Sequence, residues 1–305
     1  MAPVVSKVSV VMGVYNAHRF VAATVRSILT QTFADFEFVI VDDGSTDGSL
    51  AVLRELASHD SRIKVISRPN TGIVGAANDG IAASRGQYIA RHDADDISHP
   101  QRLQKQVAFL DANPDVVAVG AQMEVTDPYL SPLEETQFPL DHEGIEHDLL
   151  RGSGWTLPQP AAMMRRSAVA RVGGYRQQCN HSEDLDLFLR LATVGRLANL
   201  PEVLVQWRRH LGSTNHANAD QQRQNKQRIV AEAMQSRGLP VPADLENYLA
   251  FAPQTPRWKE VCNWGWKALK RGNTQIARRH AWTAIKERPT SSEAWKLAVC
   301  SIRGK

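Results

Sequence analysis

Three carboxylates stand within four positions at Asp93, Asp95 and Asp96, directly after the apolar run Tyr88-Ile89-Ala90. Charges of one sign packed that closely disfavour one another unless something neutralises them. In an extended turn Asp93 and Asp95 project the same way. Together they suit a hard divalent cation held through oxygen, with a ligand such as a diphosphate completing its shell. The competing reading is a solvated acidic turn whose Asp residues cap the following helix. A second acidic pair, Glu183-Asp184, follows Ser182 and opens the run Leu185 to Arg190. Ser182 suits an N-cap there, and acids in a first turn suit the helix dipole.

The segments that must position these residues alternate in period. Val8–Met12, Phe36–Val41, Ile63–Ile66, Gln87–Ala90 and Val116–Val119 read as strands, separated by runs with helical apolar spacing. That order predicts an α/β fold, a mostly parallel, doubly wound sheet with helices on both faces. Ligands of such sheets bind beyond the carboxyl ends of the strands. Tyr15 and Asn16 follow the first strand, Asp42 and Asp43 end the second, and the Asp93 cluster ends the fourth. The third leads to Arg68-Pro69-Asn70-Thr71-Gly72, where Gly72 permits a close backbone approach. No G-x-G-x-x-G and no Walker loop occurs, so phosphates need a metal to neutralise them. Residues 126–160, rich in Pro and Gly, read as an excursion over the site with a short helix near Asp141–Leu150. Val203–Trp207 reads as a further strand ending in Arg208-Arg209-His210, and helices dominate from about Ala217.

With 305 residues and 43% hydrophobic composition, the chain has room for a large α/β domain and a smaller appendage. The apolar stretch Val8–Val14 is too short for a signal-peptide core, and no run approaches a membrane span. Three scattered cysteines argue against a disulfide framework and suit a reducing, cytoplasmic compartment. Charge is unevenly divided. Residues 1–225 hold 21 Lys and Arg against 26 Asp and Glu, whereas residues 226–305 hold 15 against 6. The basic tail suits an anionic surface, although a solvated basic helical face is the commoner cause of such asymmetry.

Taken in order, these segments resemble the family 2 glycosyltransferases, the inverting nucleotide-sugar enzymes of the glycosyltransferase A-type fold. The resemblance rests on Val8–Val11 to Tyr15-Asn16, Ile28–Thr32, Val41-Asp42-Asp43-Gly44-Ser45-Thr46-Asp47, Asn70-Thr71-Gly72, Ala76–Ile81, Gly86–Ile89 and Asp93–Asp96. Val172–Tyr175, Glu183–Leu187 and Arg208–His210 continue it, over roughly residues 6–216. It implies a catalytic domain over 1–216 followed by a basic α-helical extension over 217–305.

The resemblance also implies roles. Tyr15 and Asp43 would hold the nucleotide base, with Asn16, Asp42, Asn70, Gly72 and Asn78 around the donor. Asp93 would meet ribose or metal, and Asp95 would bind Mn²⁺ or Mg²⁺ at the diphosphate. His210 stands where some relatives place a further metal ligand, although a salt bridge or cap serves it equally well. Asp184 matches the catalytic base, with Glu183 the reserve. Trp155 and Gln159 fall on the acceptor side, where Trp155 either stacks on a sugar or fills a core. Two departures, Ala77 where Arg is frequent and Gln159-Pro160 where His-Pro is frequent, bear on donor and acceptor identity. Without membrane helices or a Q-x-x-R-W motif, addition of one sugar is expected rather than processive synthesis.

The implied donor is a nucleotide-diphospho-sugar, UDP before GDP or dTDP, and the acceptor a glycan or lipid-linked glycan; nucleic acid is not expected. A non-catalytic glycan-binding scaffold and a sugar-nucleotide nucleotidyltransferase are the alternatives. In the tail, Gly265, Ala268, Ala277, Ala281, Ala284 and Pro289 fall at the spacings of a tetratricopeptide-like hairpin. Its tryptophans and basic residues suit either peripheral contact with the cytoplasmic membrane or a Trp-filled core with a basic exterior.

Overall fold

The computed structural model describes residues 6–211, 219–249 and 255–304. Nine strands form one sheet: β1 Val8–Val14, β2 Phe36–Asp42, β3 Ile63–Ser67, β4 Tyr88–Asp93, β5 Ile97–Ser98, β6 Val116–Thr126, β7 Pro132–Glu135, β8 Met163–Arg165 and β9 Arg196–Arg208. Their order is β3-β2-β1-β4-β8-β6-β9-β5, with β7 paired to β6. The half β3-β2-β1-β4 is parallel, and β8 joins β4 and β6 antiparallel. The strand order reverses at β1, which lies between β2 and β4. An open α/β sheet presents its ligand crevice at such a point.

The parallel strands are Val- and Ile-rich and buried on both faces: Val10, Val11, Phe38, Val39, Ile40, Ile89 and Ala90 are all fully enclosed. The helix Gly72–Ala83 packs on β1 and β2. Gly80 allows that approach, since a Cβ there would collide with the Val11 side chain. At Gly86 a Cβ would come within 2.5 Å of the Ser9 backbone nitrogen, so the chain entering β4 passes too close to β1 for any other residue.

Contacts divide the chain into two compact units. The first comprises Met1–Met123, Gln137–Val205 and Asp220–Phe251; the second comprises Glu124–Thr136, Gln206–Ala219 and Ala252–Lys305. Both are discontinuous, so neither matches a single cut after residue 216. Helix Ala219–Ser236 contributes Ile229, Val230, Ala233 and Met234 to the first unit's core. In the second unit, helices Arg257–Lys270, Thr274–Glu287 and Ser292–Arg303 pack together. Gly265, Ala268, Ala277, Ala281 and Ala284 line their contacts. Trp264 is buried there, while Trp282 and Trp295 stand out in solvent, so the tail's tryptophans are only partly core.

Candidate active site

The strand ends expected to hold chemistry belong to the first unit. Past β1, Asn16 takes a left-handed backbone (φ 51°), a conformation Asn tolerates better than most residues. Its Oδ1 accepts from the Thr46 N–H at 2.8 Å, and its own N–H donates to Ser45 Oγ at 3.0 Å. Asn16 thereby fixes the loop after β2 and leaves Tyr15 projecting, 56% exposed. Such an open ring offers a stacking face.

Asp43 is buried and fully engaged. Its carboxylate accepts the backbone N–H groups of Thr71 (3.0 Å) and Gly72 (2.9 Å) and pairs with Arg68 (2.9 Å). It shapes the Arg68–Gly72 loop, while Arg68 reaches on to Asp79 at 2.6 Å. Asp42 is the less committed neighbour. Its Oδ2 accepts from Ser67 Oγ at 3.1 Å, and its buried Oδ1 has no hydrogen-bond partner among the described residues. Asn70 is exposed on this loop. Gly72 serves through its φ of 85° rather than through close packing, since a Cβ there would meet nothing within 4 Å. The close approach expected at Gly72 is found at Gly44, where a Cβ would lie 2.9 Å from the Asn70 nitrogen.

Asn78 is turned to a structural task. Its amide donates to the Tyr175 carbonyl (2.9 Å) and accepts from the Tyr175 N–H (3.0 Å), clamping the Gly173-Gly174-Tyr175 turn.

At the end of β4 the acidic cluster forms a tight turn rather than an extended one, closed by Asp96 N–H to Asp93 O at 3.4 Å. Arg91 lies two residues before Asp93, on the same strand face. Its buried guanidinium donates to the Val11 carbonyl at 2.9 Å and stands 4.0 Å from Asp93. Below it Arg102, also fully buried, donates to the Arg91 carbonyl (2.6 Å) and to His92 Nδ1 (3.1 Å). Burial, then the Arg102 charge, pushes His92 down to about 3, so the imidazole is neutral and Nδ1 can accept.

Glu183 and Asp184 open the helix Glu183–Leu191. Ser182 occupies the N-cap position but makes no side-chain cap; its hydroxyl donates to the His181 carbonyl at 2.8 Å. The helix start is held instead by the buried Asp186, which pairs with Arg176 and, at 2.5 Å, with Arg190. Asp184 Oδ1 accepts from the Leu185 N–H at 2.7 Å. The carboxylate also occupies the space beside Gly154, where a Cβ would come within 2.9 Å of Oδ2. A side chain at position 154 would therefore crowd the carboxylate; the next residue, Trp155, is 38% exposed. Gln159 is buried, its Oε1 without a partner among the described residues.

The electrostatics tie the two acidic groups together. Burial, followed by repulsion from Asp95 and Asp184, raises the Asp93 pKa against the opposing pull of Arg91. About a third of the Asp93 side chain (36%) still meets solvent, which moderates the rise. Burial raises Asp184 as well, opposed by its backbone hydrogen bond and the Lys226 ammonium. Glu183, 5% exposed, is pushed up to about 8 by burial, then by Asp184 and Asp93. Burial and the neighbouring acids thus favour the protonated form of Glu183 more strongly than an exposed glutamate would.

Crowded carboxylates fit a hard cation, which would relieve their repulsion through oxygen ligands. Asp93 and Asp95 are the donors present. Among the described residues no three His, Cys, Asp or Glu side chains converge on one point, so substrate oxygens would have to fill most of the shell. His210 lies just past β9 in the second unit.

The sequence reading did not single out Gly154, Arg91 or Lys226. Only Arg91 had a local signal, a cation within an apolar strand and in register with an acid. Gly154 and Lys226 lie 30 and 42 positions from Asp184 and meet it through the fold.

A family model described as glycosyl transferase family 2 matches residues 9–173, more than half of the chain. The chain belongs to that family. Family membership makes it a glycosyltransferase with a mixed, mostly parallel α/β sheet. It is 38% identical over 207 residues to the putative glycosyltransferase EpsE of Bacillus subtilis (strain 168), covering 66% of this chain and 73% of that one. In fold it is similar to S. aureus TarS residues 1–349 in complex with UDP-GlcNAc. The TM-score is 0.64 at 16% identity, over 97% of this chain and 89% of that one. The mannosyltransferase PcManGT from Pyrobaculum calidifontis, in complex with GDP-Man and Mn²⁺, gives 0.58 at 19% identity, over 99% and 81%. No helix among the described residues is long and apolar enough to cross a membrane.

Proposed function

We propose that this family 2 glycosyltransferase moves one sugar from a nucleotide-diphospho-sugar, a UDP-sugar first, to a hydroxyl of a glycan or lipid-linked glycan, inverting the anomeric centre. The observation that supports it most is the Asp184 carboxylate, raised in basicity by burial, seated beside Gly154 and electrostatically coupled to Asp93. Asp184 accepts the acceptor's hydroxyl proton as that oxygen attacks the anomeric carbon, and the bond to the diphosphate breaks on the opposite face. Inversion follows from a single displacement and needs no nucleophilic side chain. Burial and the nearby acids favour the neutral form of Glu183, which leaves Asp184 as the base in this reading.

On the donor side Tyr15 offers its face to the nucleobase. The loop shaped by Asn16, Asp43, Asn70 and Gly72 frames the nucleoside, with Asp42 Oδ1 a spare acceptor in the same frame. Asp93 and Asp95 would hold Mn²⁺ or Mg²⁺. A cation bound there supplies charge neutralisation for the departing diphosphate. On the acceptor side Trp155 supplies an apolar face beside the base, and the unpartnered Gln159 oxygen supplies an acceptor.

The test is product stereochemistry. Proton NMR of the glycoside formed from an α-linked donor should show a β anomer; an α anomer would overturn the single-displacement mechanism.

A further inference from the structure

In the second unit, helices Thr274–Glu287 and Ser292–Arg303 turn their small residues inward and leave large apolar side chains outside. Trp282 is 46% exposed, Trp295 47%, Val299 44% and Ile302 64%. Trp295, Val299 and Ile302 recur four and three residues apart, which makes them one stripe of the last helix. Trp282 joins the stripe from the preceding helix, its ring edge-on to Trp295 with centroids 6.1 Å apart. A soluble protein seldom leaves four such side chains together without a use for them.

The charges around the stripe are mostly basic. Arg278 donates to the Ser301 carbonyl at 3.3 Å, which puts its guanidinium at the stripe's end. Lys286 lies one turn beyond Trp282, Lys296 follows Trp295 and Arg303 follows Ile302, all exposed. The two helices contain only two acids, Glu287 and Glu293, and Glu293 is paired with Lys259 at 3.5 Å. The indole N–H of Trp295 donates to the Pro289 carbonyl at 2.8 Å, so that ring can enter an apolar layer without leaving a donor unpaired.

We propose that this face is a docking surface for an anionic lipid bilayer. Trp282, Trp295, Val299 and Ile302 enter the interfacial layer while Arg278, Lys286, Lys296 and Arg303 meet lipid phosphates. Two independent features select that occupant. Tryptophan favours the boundary between headgroups and acyl chains, and a basic rim with few acids complements a negative surface. The inference stands apart from the transferase reading, because its readout is binding rather than turnover.

The test is co-sedimentation of the full chain with phosphatidylcholine vesicles, with and without about 30 mol % phosphatidylglycerol. The expected result is binding to the anionic vesicles alone, with indole emission quenched by acyl-brominated lipid. Trp282→Ser with Trp295→Ser should weaken partitioning at least about tenfold. Lys286→Glu and Lys296→Glu should each weaken it by about fivefold or more. Ile302→Glu, at the most exposed position of the stripe, provides a second apolar variant that leaves the indole pair intact. Unchanged circular dichroism and thermal melts would show that the variants fold. Equal binding by the tryptophan variant, no binding to anionic vesicles at low salt, or equal binding to soluble polyglutamate would each overturn the proposal. The last would assign the face to an acidic protein or polymer.

Discussion

At the scale of single residues, Asp184 is defined by what touches it. Replacement by Asn keeps the shape and removes the base, so kcat should fall about 10²–10⁴-fold with donor KM little changed; steady-state kinetics decide it. Gly154→Ala tests the position of the same group. The added Cβ meets the mobile end of an Asp side chain rather than backbone, so folding should survive while the carboxylate shifts. A kcat loss of about tenfold or more, with unchanged UDP affinity by calorimetry, is expected. The raised Glu183 pKa has a stability signature as well. A carboxyl raised in the folded state stabilises fully below its unfolded value near 4.5, and that contribution is lost as pH rises to about 8. Glu183→Gln should therefore gain Tm relative to the parent as pH climbs through that window, read by thermal melts. Asp184 was singled out through the family resemblance, since by itself its acidic pair reads as an ordinary helix start. Gly154 was not, because a glycine in a Gly- and Pro-rich segment looks like any turn until the partner of its missing Cβ is known. Asn78 and Asp43 show the converse: polar residues at the expected positions, whose hydrogen bonds are committed to the protein's own backbone.

At the scale of elements, the parallel strands were readable because each is a β-branched run ended by a turn. Their observed bounds extend the expected ones by one to three residues at the carboxyl end, which is where the polar site residues begin. β5, β7 and β8 escaped notice for a physical reason. They hold two to four residues, too few for a period to show, and their strand state depends on the neighbours they pair with. Two close contacts make this level testable. Gly86→Ala places a Cβ against the backbone of β1 and should cost about 1–3 kcal/mol in denaturant unfolding. In the second unit, the buried Asp127 accepts from Tyr129 and Ser131 N–H, each at 2.8 Å, and meets His280 at 2.9 Å. Burial opposes ionisation of Asp127, but these partners outweigh it and lower the pKa. Its stabilisation is therefore present above the ordinary Asp value and lost as pH falls through the lowered one. Asp127→Asn should cost about 1–3 kcal/mol at neutral pH and less in acid, measured by urea unfolding across pH.

For the whole molecule, the charge division seen in the sequence, −5 over residues 1–225 and +9 over 226–305, does not follow the compact units strictly. Helix Ala219–Ser236 is sequentially part of the tail yet packs in the first unit, where the Lys226 charge acts on Asp184 and Arg228 approaches Cys179. Sequence order alone could not reveal this, since returning a helix to an earlier domain depends on which apolar stripe finds a vacant face. The first unit places Asp42, Asp43, Asp93, Asp95 and Asp96 at the strand ends beside the switch in strand order, where a negatively charged donor would otherwise be repelled. Its chemistry as proposed therefore depends on a cation at Asp93 and Asp95 and on a single base at Asp184. The most direct measurement is nucleoside-diphosphate release by the purified chain from UDP-, GDP- and dTDP-sugars with Mn²⁺, beside EDTA, Asp95→Ala and Asp184→Asn. The account predicts turnover of one donor class that EDTA and Asp95→Ala abolish and Asp184→Asn lowers at least about a hundredfold. Turnover that survives Asp184→Asn, or that ignores EDTA, would contradict it.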